Sequence, residues 1–210
     1  MTPAFKICYI TDRRALGEQR LLDRISAAVE AGVDLVQIRE KDLETRELLA
    51  LAKAVIDRTR GTGTAILVND RLDAALALGA AGIHLGSLSM PARAVRACVP
   101  PGFLVGVSCH SLQEACQAED DGADHVLLGP IFSTPSKLVY GPPLGLATLG
   151  EVAARIRIPI LALGGITVER VRPCLEAGAT GIAGISVFQD CDSLAERVRQ
   201  LSAEFEKQKK

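Results

Sequence analysis

A short apolar run followed by an amphipathic segment recurs along the whole chain, and this repetition constrains the fold more than any other feature. The runs contain few polar residues, which is typical of parallel strands covered on both faces. They predict eight strands: Lys6–Ile10, Leu35–Ile38, Ala65–Val68, Gly82–Leu85, Leu104–Val107, His125–Leu128, Ile158–Leu163 and Thr180–Ala183.

Between these runs, apolar residues recur at the spacing of one helix face. They predict eight helices: Arg20–Ala31, Thr45–Thr59, Arg71–Leu78, Pro91–Cys98, Ser111–Asp120, Thr148–Ile156, Thr167–Ala177 and Ser193–Glu206. Thr45, Ser111, Thr167 and Ser193 are the expected N-caps. Ala-Gly elements join several helices to the next strand, where glycine suits a left-handed C-cap.

Eight such units in 210 residues predict one compact (β/α)8 TIM barrel that spans residues 1–210 as a single domain. The alternative is a doubly wound open sheet. The barrel is favoured by the strand number and by the lack of a Gly-x-Gly-x-x-Gly motif after the first strand. The charged end from about Glu204 to Lys210 is expected to be frayed.

Composition excludes several classes of protein. With 24 basic and 25 acidic residues and only 3% aromatics, the chain lacks the positive excess and stacking platforms of nucleic-acid-binding proteins. No apolar run reaches the ~18 residues that span a bilayer, and the first ten residues do not resemble a secretory signal. The six cysteines show no C-x-x-C spacing, which argues against a zinc site or a disulfide framework. We therefore expect a cytoplasmic protein with no nucleic-acid or membrane partner.

In a TIM barrel, chemistry takes place at the carboxyl-terminal ends of the strands. Gln37, Arg39 and Lys41 alternate there, so their side chains point to the same side. Arginine binds phosphate as a fork and lysine as a point charge, which predicts a site for a phosphate or diphosphate. The alternative is a set of surface salt bridges with Glu40 and Asp42.

Asn69 and Asp70 follow the third strand. Magnesium commonly takes one or two carboxylates together with phosphate oxygens of the substrate, so Asp70 is a candidate Mg²⁺ ligand. Both residue types also cap helices well, and the alternative is an N-cap for the predicted helix Arg71–Leu78.

The segment from Gly129 to Gly145 is long for a barrel loop, and such loops are often functional. Its Thr134, Ser136 and Lys137 offer two hydroxyls and a cation that could hold an anion. The alternative is an ordinary Ser/Pro turn.

Glycines follow the last two strands, in Gly164-Gly165 and Gly184-Ile185-Ser186. Phosphate commonly binds in TIM barrels at this place, on backbone N–H groups. The alternative is that the glycines serve tight turns alone.

The three histidines differ in placement. His110 follows Ser108 just past a strand and is the best candidate for a general acid or base. His84 lies at a strand end, where either a structural or a functional role is open. His125 lies inside an apolar run and is expected to be structural.

An ordered set of motifs resembles the thiamine phosphate synthase and thiazole tautomerase family. The motifs lie between Tyr9 and Val187: Val36-Gln37-Ile38-Arg39-Glu40-Lys41, Val68-Asn69-Asp70-Arg71, His84-Leu85-Gly86, Gly106-Val107-Ser108, Gly129-Pro130-Ile131-Phe132, Thr134-Pro135-Ser136-Lys137 and Leu163-Gly164-Gly165-Ile166. Each motif alone is weak, whereas the ordered set is specific.

The resemblance implies a thiamine phosphate synthase, in which a thiazole phosphate displaces pyrophosphate from a hydroxymethylpyrimidine diphosphate. It assigns the pyrimidine diphosphate to Gln37, Arg39, Lys41, Asn69 and Ser108. It assigns Mg²⁺ to Asp70. It assigns the thiazole phosphate and the departing pyrophosphate to Thr134, Ser136 and Lys137, and the thiazole phosphate to Gly165, Ile185 and Ser186. Lys137, Ser108 and His110 are the candidate catalytic residues.

One departure weakens the synthase prediction. The family pattern after His84-Leu85-Gly86 has an Asp that binds the same Mg²⁺, whereas this chain has Ser87-Leu88-Ser89-Met90-Pro91 with no carboxylate. Two alternatives therefore stay open: a thiazole tautomerase that uses His110 as acid and base, and a regulator that binds thiazole phosphate without catalysis. Assembly into a homo-oligomer is left open.

Overall fold

The computed structural model describes residues 5–134 and 142–207. Within them eight parallel strands form a closed barrel in chain order, and β8 pairs with β1. This closure confirms the predicted barrel, and the open-sheet alternative is wrong. The strands are β1 (Ile7–Ile10), β2 (Leu35–Ile38), β3 (Ala65–Asn69), β4 (Gly82–Leu85), β5 (Leu104–Cys109), β6 (His125–Leu128), β7 (Ile160–Leu163) and β8 (Gly181–Gly184).

All eight predicted helices are present, and the described part of the chain contains two short ones that were not predicted. The helices are α1 (Arg13–Leu16), α2 (Glu18–Glu30), α3 (Thr45–Thr59), α4 (Leu72–Ala77), α5 (Ala92–Arg96), α6 (Leu112–Asp120), α7 (Gly145–Arg155), α8 (Val168–Glu176), α9 (Ser186–Gln189) and α10 (Leu194–Lys207). The unpredicted α1 and α9 have four residues each. Four residues are too few to show a helical period, so periodicity could not find them.

Helix starts agree with the expected caps in part. The Oγ of Ser111 accepts a hydrogen bond from the backbone N–H of Glu114 at 3.1 Å and caps α6. Thr45 is not the cap of α3, because Glu44 precedes it and forms a reciprocal capping box with Glu47.

Helix α10 continues to Lys207, and Phe205 is buried in the core. The prediction of a frayed end is therefore wrong for Glu204 to Lys207. An apolar side chain within the charged stretch holds the last turn against the barrel. No helix in the described part of the chain is long and apolar enough to cross a membrane.

The barrel interior changes from apolar to polar along the strands. One buried cluster contains Cys8, Leu35, Leu67, Leu127 and Leu161. Since alternate residues of a strand face the same side, the positions two further along β2 and β3 also face inward. These positions are occupied by the polar Gln37 and Asn69, at the carboxyl-terminal rim.

Candidate active site

An amide pair forms the floor of the site between β2 and β3. Gln37 is buried, and its Nε2 donates to Oδ1 of Asn69 at 2.9 Å. The Oε1 of Gln37 is also buried and has no partner among the described residues. A buried amide oxygen without a donor is costly, so this atom is suited to accept a hydrogen bond from a ligand.

The main chain at Arg39 is held by residues that follow β1. The backbone N–H of Arg39 donates to Oγ1 of Thr11 at 2.9 Å, and the Thr11 hydroxyl donates to Oε1 of Glu40 at 2.5 Å. Glu40 also accepts the backbone N–H of Arg13 through both oxygens, at 3.0 and 2.9 Å. Burial raises the pKa of Glu40, and these hydrogen bonds oppose the rise. Glu40 therefore ties β2 to β1 and points away from the site.

The acidic neighbours of Arg39 and Lys41 are engaged elsewhere. Asp42 pairs with Arg13 at 2.5 Å and with Arg14 at 3.2 Å. Neither Arg39 nor Lys41 forms an ion pair with a carboxylate within residues 5–134 and 142–207. The salt-bridge alternative is thus wrong for the described residues, and both cations are available to an anionic ligand.

Ser108 and two histidines occupy the centre of the barrel. The Nε2 of His84 lies 2.8 Å from Oγ of Ser108. A Cβ at Gly106 would lie 2.4 Å from Nε2 of His125 and 2.7 Å from Nδ1 of His84, so only glycine leaves room for both rings. His125 is fully buried, which agrees with the structural role expected for it. Burial lowers the pKa of His125 to about 4, and it lowers that of His84 to about 3 with a smaller contribution from His125 and Arg39.

His110 is exposed at the end of β5. Its Nδ1 is hydrogen-bonded to the carbonyl oxygen of Gly129, and its backbone N–H donates to Oε2 of Glu114 at 2.6 Å. Since a carbonyl oxygen only accepts, the proton of neutral His110 is on Nδ1. The lone pair of Nε2 is then free to take a proton from a ligand.

Asp70 stands apart from the helix that follows it. It is exposed, with a φ of 64°, which few non-glycine residues adopt. Helix α4 begins at Leu72 after Arg71, without a side-chain cap, so the N-cap alternative for Asn69 and Asp70 is wrong. Backbone strain of this kind is concentrated at functional sites.

The donor set fits a magnesium ion that the protein shares with its substrate. Among the described residues no three His, Cys, Asp or Glu side chains form a metal cluster. Magnesium is commonly bound by one or two carboxylates, with waters and phosphate oxygens completing its shell. Asp70 can supply one carboxylate. The Oγ of Ser89, where the family pattern has a second carboxylate, accepts the backbone N–H of Gly86 at 2.7 Å and closes a turn.

The rims after β6 and β7 are packed together. A Cβ on Gly165, which has a φ of 63°, would lie 2.8 Å from the carbonyl oxygen of Ser133 and 2.9 Å from Cβ of Phe132. Gly165 is therefore required by the turn itself, and its role toward phosphate stays a prediction. Thr134 lies at the edge of this rim, whereas Ser136 and Lys137 lie outside the described residues.

The rim after β8 is the start of helix α9. Ile185 precedes the helix, and Ser186 is its first residue, so the leading N–H groups lie at the carboxyl-terminal end of the barrel. Arg24 of α2 holds the other end of α9. Its guanidinium donates to the carbonyl oxygen of Phe188 at 2.7 and 3.2 Å and to those of Gln189 and Cys191 at 3.0 Å.

Sequence patterns did not reveal the residues that hold the site in place. Thr11, Glu40 and Arg24 act through contacts 27 to 167 residues apart in the chain. The inward register of His84 was readable from its place two residues after the inward-facing Gly82 position of β4, next to Asn69. The contact of His84 with Ser108 could not be predicted from the sequence.

Fold and site together define a (β/α)8-barrel protein with unpaired cations, amides and a carboxylate at the carboxyl-terminal rim. Residues 7–188 match the family described as thiamine monophosphate synthase. The chain belongs to this family. The resemblance found from the motifs is thereby confirmed.

Two curated relatives support the assignment. The chain is 45% identical to a thiamine-phosphate synthase of Roseiflexus castenholzii, over 84% of this chain and 78% of the relative. It is 41% identical to a thiamine-phosphate synthase of Methanoculleus marisnigri, over 93% of this chain and 97% of the relative.

Solved structures agree at the level of the fold. A thiamine phosphate pyrophosphorylase from Pyrococcus furiosus superposes with a TM-score of 0.87 at 32% identity, covering 97% of this chain and 96% of that one. A 3-hexulose-6-phosphate synthase from Salmonella typhimurium gives a TM-score of 0.73 at 18% identity, covering 96% and 99%. The second likeness concerns the barrel alone.

Proposed function

We propose that this protein is a thiamine phosphate synthase that joins hydroxymethylpyrimidine diphosphate to a thiazole phosphate and releases pyrophosphate. The observation that carries the proposal is the cation pair Arg39 and Lys41, which forms no ion pair with a carboxylate among the described residues. Family membership supports the choice of these two substrates. A cytoplasmic location fits this role and stays a prediction, as does the oligomeric state.

The chemistry places negative charge on the leaving group. The C–O bond to the diphosphate breaks, pyrophosphate keeps the electron pair, and the thiazole nitrogen donates its lone pair to the pyrimidine methylene carbon. Preorganised cations stabilise the developing charge, and this is the role of Arg39 and Lys41. Gln37, through its unpartnered Oε1, and Asn69 orient the pyrimidine, and Ser108 donates to the diphosphate.

The remaining residues bind the second substrate and the ion. Gly165, Ile185 and Ser186 would hold the thiazole phosphate on backbone N–H groups. Thr134, Ser136 and Lys137 would bind the thiazole phosphate and the departing pyrophosphate. Asp70 would hold Mg²⁺, which neutralises diphosphate charge when bound. Ser89 supplies no charge there, so the substrate itself must provide more of the ligands.

The test is a two-substrate assay with Mg²⁺ that follows both pyrophosphate and thiamine phosphate. The purified wild-type protein should form the two products in equal amounts. Ser89→Asp should raise the rate or lower the Mg²⁺ concentration at half-maximal rate, and Asp70→Asn should abolish turnover. Absence of product at high protein concentration would refute the synthase.

A thiazole tautomerase is the second candidate, and the orientation of His110 favours it. Its Nδ1 bond to Gly129 leaves Nε2 free to move a proton on a carboxythiazole phosphate. His110→Ala separates the two functions, since it should abolish tautomerisation and leave pyrophosphate release within about twofold. A regulator would bind thiazole phosphate and turn over neither substrate set.

A further inference from the structure

His84 lies directly beneath the proposed substrate site. Its side chain is 1% exposed, and its backbone lies between Asn69 of β3 and Gly106 of β5 in the barrel register. Its Nε2 is 2.8 Å from Oγ of Ser108, which is partly exposed to the cavity. A buried imidazole thus contacts the hydroxyl that the proposed function assigns to the diphosphate.

The imidazole of His84 is neutral and carries a single proton. Burial, with smaller contributions from His125 and Arg39, lowers the pKa of His84 to about 3, and a charged ring would leave a buried Nδ1–H without an acceptor among the described residues. One ring nitrogen is then a donor and the other an acceptor.

The surroundings of the ring decide which nitrogen carries the proton. Nδ1 is buried, faces Gly106, and has no hydrogen-bond partner among the described residues. A buried N–H without an acceptor is rarer and more costly than a buried lone pair without a donor. The proton is therefore on Nε2, and Nε2 donates to Oγ of Ser108.

We propose that His84 is a positioning residue which, by donating from Nε2 to Ser108, directs the hydroxyl proton of Ser108 into the cavity as a donor to an anionic substrate oxygen. A hydroxyl has one proton and two lone pairs, so a donor on one lone pair leaves the proton for another acceptor. The identity of that substrate rests on the proposed function. The tautomer of His84 and its contact with Ser108 do not depend on the proposed function.

The first test reads the tautomer directly in the wild-type protein. The chain has three histidines, so ¹⁵N-histidine labelling gives three ring systems, and loss of one set in His84→Gln assigns His84. At pH 7 we expect a protonated Nε2 and an unprotonated Nδ1. A proton on Nδ1, or a charged ring, would overturn the proposal.

The second test compares variants by steady-state kinetics with both substrates. His84→Leu and Ser108→Ala should each lower kcat/KM for the pyrimidine diphosphate by about tenfold to a hundredfold. The double variant should be no worse than either alone, because both remove one interaction. The side-chain amide of Gln places an N–H close to the position of Nε2. His84→Gln should therefore keep most of the wild-type kcat/KM, whereas His84→Asn should not.

His125→Leu is the matched control. It removes a second fully buried imidazole from the same layer, and His125 has no hydrogen bond to Ser108. It should keep kcat/KM within about threefold of the wild type. An equal loss in His125→Leu, or additive losses in the double variant, would show a packing role and refute positioning.

Failure of the proposed function is distinguishable from failure of this inference. If the wild type forms no product, the affinity for inorganic pyrophosphate, measured by calorimetry, is used as the readout in place of kcat/KM. His84→Leu and Ser108→Ala should then weaken pyrophosphate binding by the same factor, and the double variant should bind no more weakly than either. His84→Gln should bind pyrophosphate nearly as well as the wild type. Equal pyrophosphate affinity in wild type and His84→Leu would refute the inference whatever the reaction.

Discussion

At the residue scale, neighbouring charges of the β2 rim have opposite tasks. Glu40 is buried, accepts hydrogen bonds from Thr11 and Arg13, and holds the main chain. Arg39 and Lys41, on either side, carry no carboxylate partner within the described residues. The supporting carboxylate and the two cations thus occupy successive positions just beyond β2, which ends at Ile38.

We expect Arg39→Gln to lower kcat/KM for the pyrimidine diphosphate by about tenfold to a hundredfold, since a charged hydrogen bond contributes about 1.5–3 kcal/mol. The fold should be unaffected, because the Arg39 side chain forms no ion pair with any carboxylate in residues 5–134 and 142–207. Arg14→Gln is the control, as its exposed side chain pairs with Asp42 on the outside of the same rim. Equal losses in the two variants would contradict a specific role for Arg39.

Single residues also show where sequence reasoning stopped. The alternation of Gln37, Arg39 and Lys41 predicted a common orientation, which stays a prediction because β2 ends at Ile38 and Lys41 lies in a turn. Whether Glu40 would neutralise the cations depended on Thr11 and Arg13, which precede it by 29 and 27 positions. No local pattern records such a contact.

At the scale of elements, helix α9 joins the rim after β8 to the body of the barrel. It is only four residues long, so its direction depends on outside contacts. Arg24 supplies them by binding three carbonyl oxygens at its carboxyl-terminal end. The helix that presents Ile185 and Ser186 is therefore oriented by α2.

We expect Arg24→Ala to raise KM for the thiazole phosphate by about tenfold (~1.4 kcal/mol) with little change in KM for the pyrimidine diphosphate. The reason is loss of the helix orientation on one side of the cavity. The readout is the ratio of the two KM values from the same two-substrate assay.

Arg96→Ala provides the matched control for this prediction. Arg96 binds the carbonyl oxygens of Gly122 and Phe103, each at 2.6 Å, at the amino-terminal ends of β5 and β6. Arg96→Ala should reduce the free energy of unfolding by about as much as Arg24→Ala does and leave both KM values unchanged. If KM for the thiazole phosphate rose equally in Arg24→Ala and Arg96→Ala, the effect would come from a general loss of stability and not from the orientation of α9.

At the scale of the whole molecule, a buried histidine couples stability to pH. His125 is fully buried, and burial lowers its pKa from 6.5 to about 4. Between these values the unfolded chain binds a proton that the folded chain does not, so stability falls as pH falls through this range.

We expect His125→Leu to flatten the pH dependence of the unfolding free energy by about 1.4 kcal/mol per pH unit between pH 6 and 4.5. Urea unfolding at several pH values measures the slope. Val126→Ala, a neighbouring buried change without a titratable group, should lower stability at every pH and keep the wild-type slope. An unchanged slope in His125→Leu would contradict the prediction.

The sequence by itself favoured the barrel over an open sheet, because it has eight apolar runs at a regular period and no Gly-x-Gly-x-x-Gly motif after the first of them. It also determined which polar residues reach the rim, since strand ends and alternation are local properties. Only the tertiary structure decided which of these residues are free and which are engaged: Glu40 is bound to Thr11, Ser89 is used in a turn, and His84 meets Ser108. These partners are brought together by strand pairing around a closed barrel, and hydrogen bonds between distant segments leave no periodic trace in the chain.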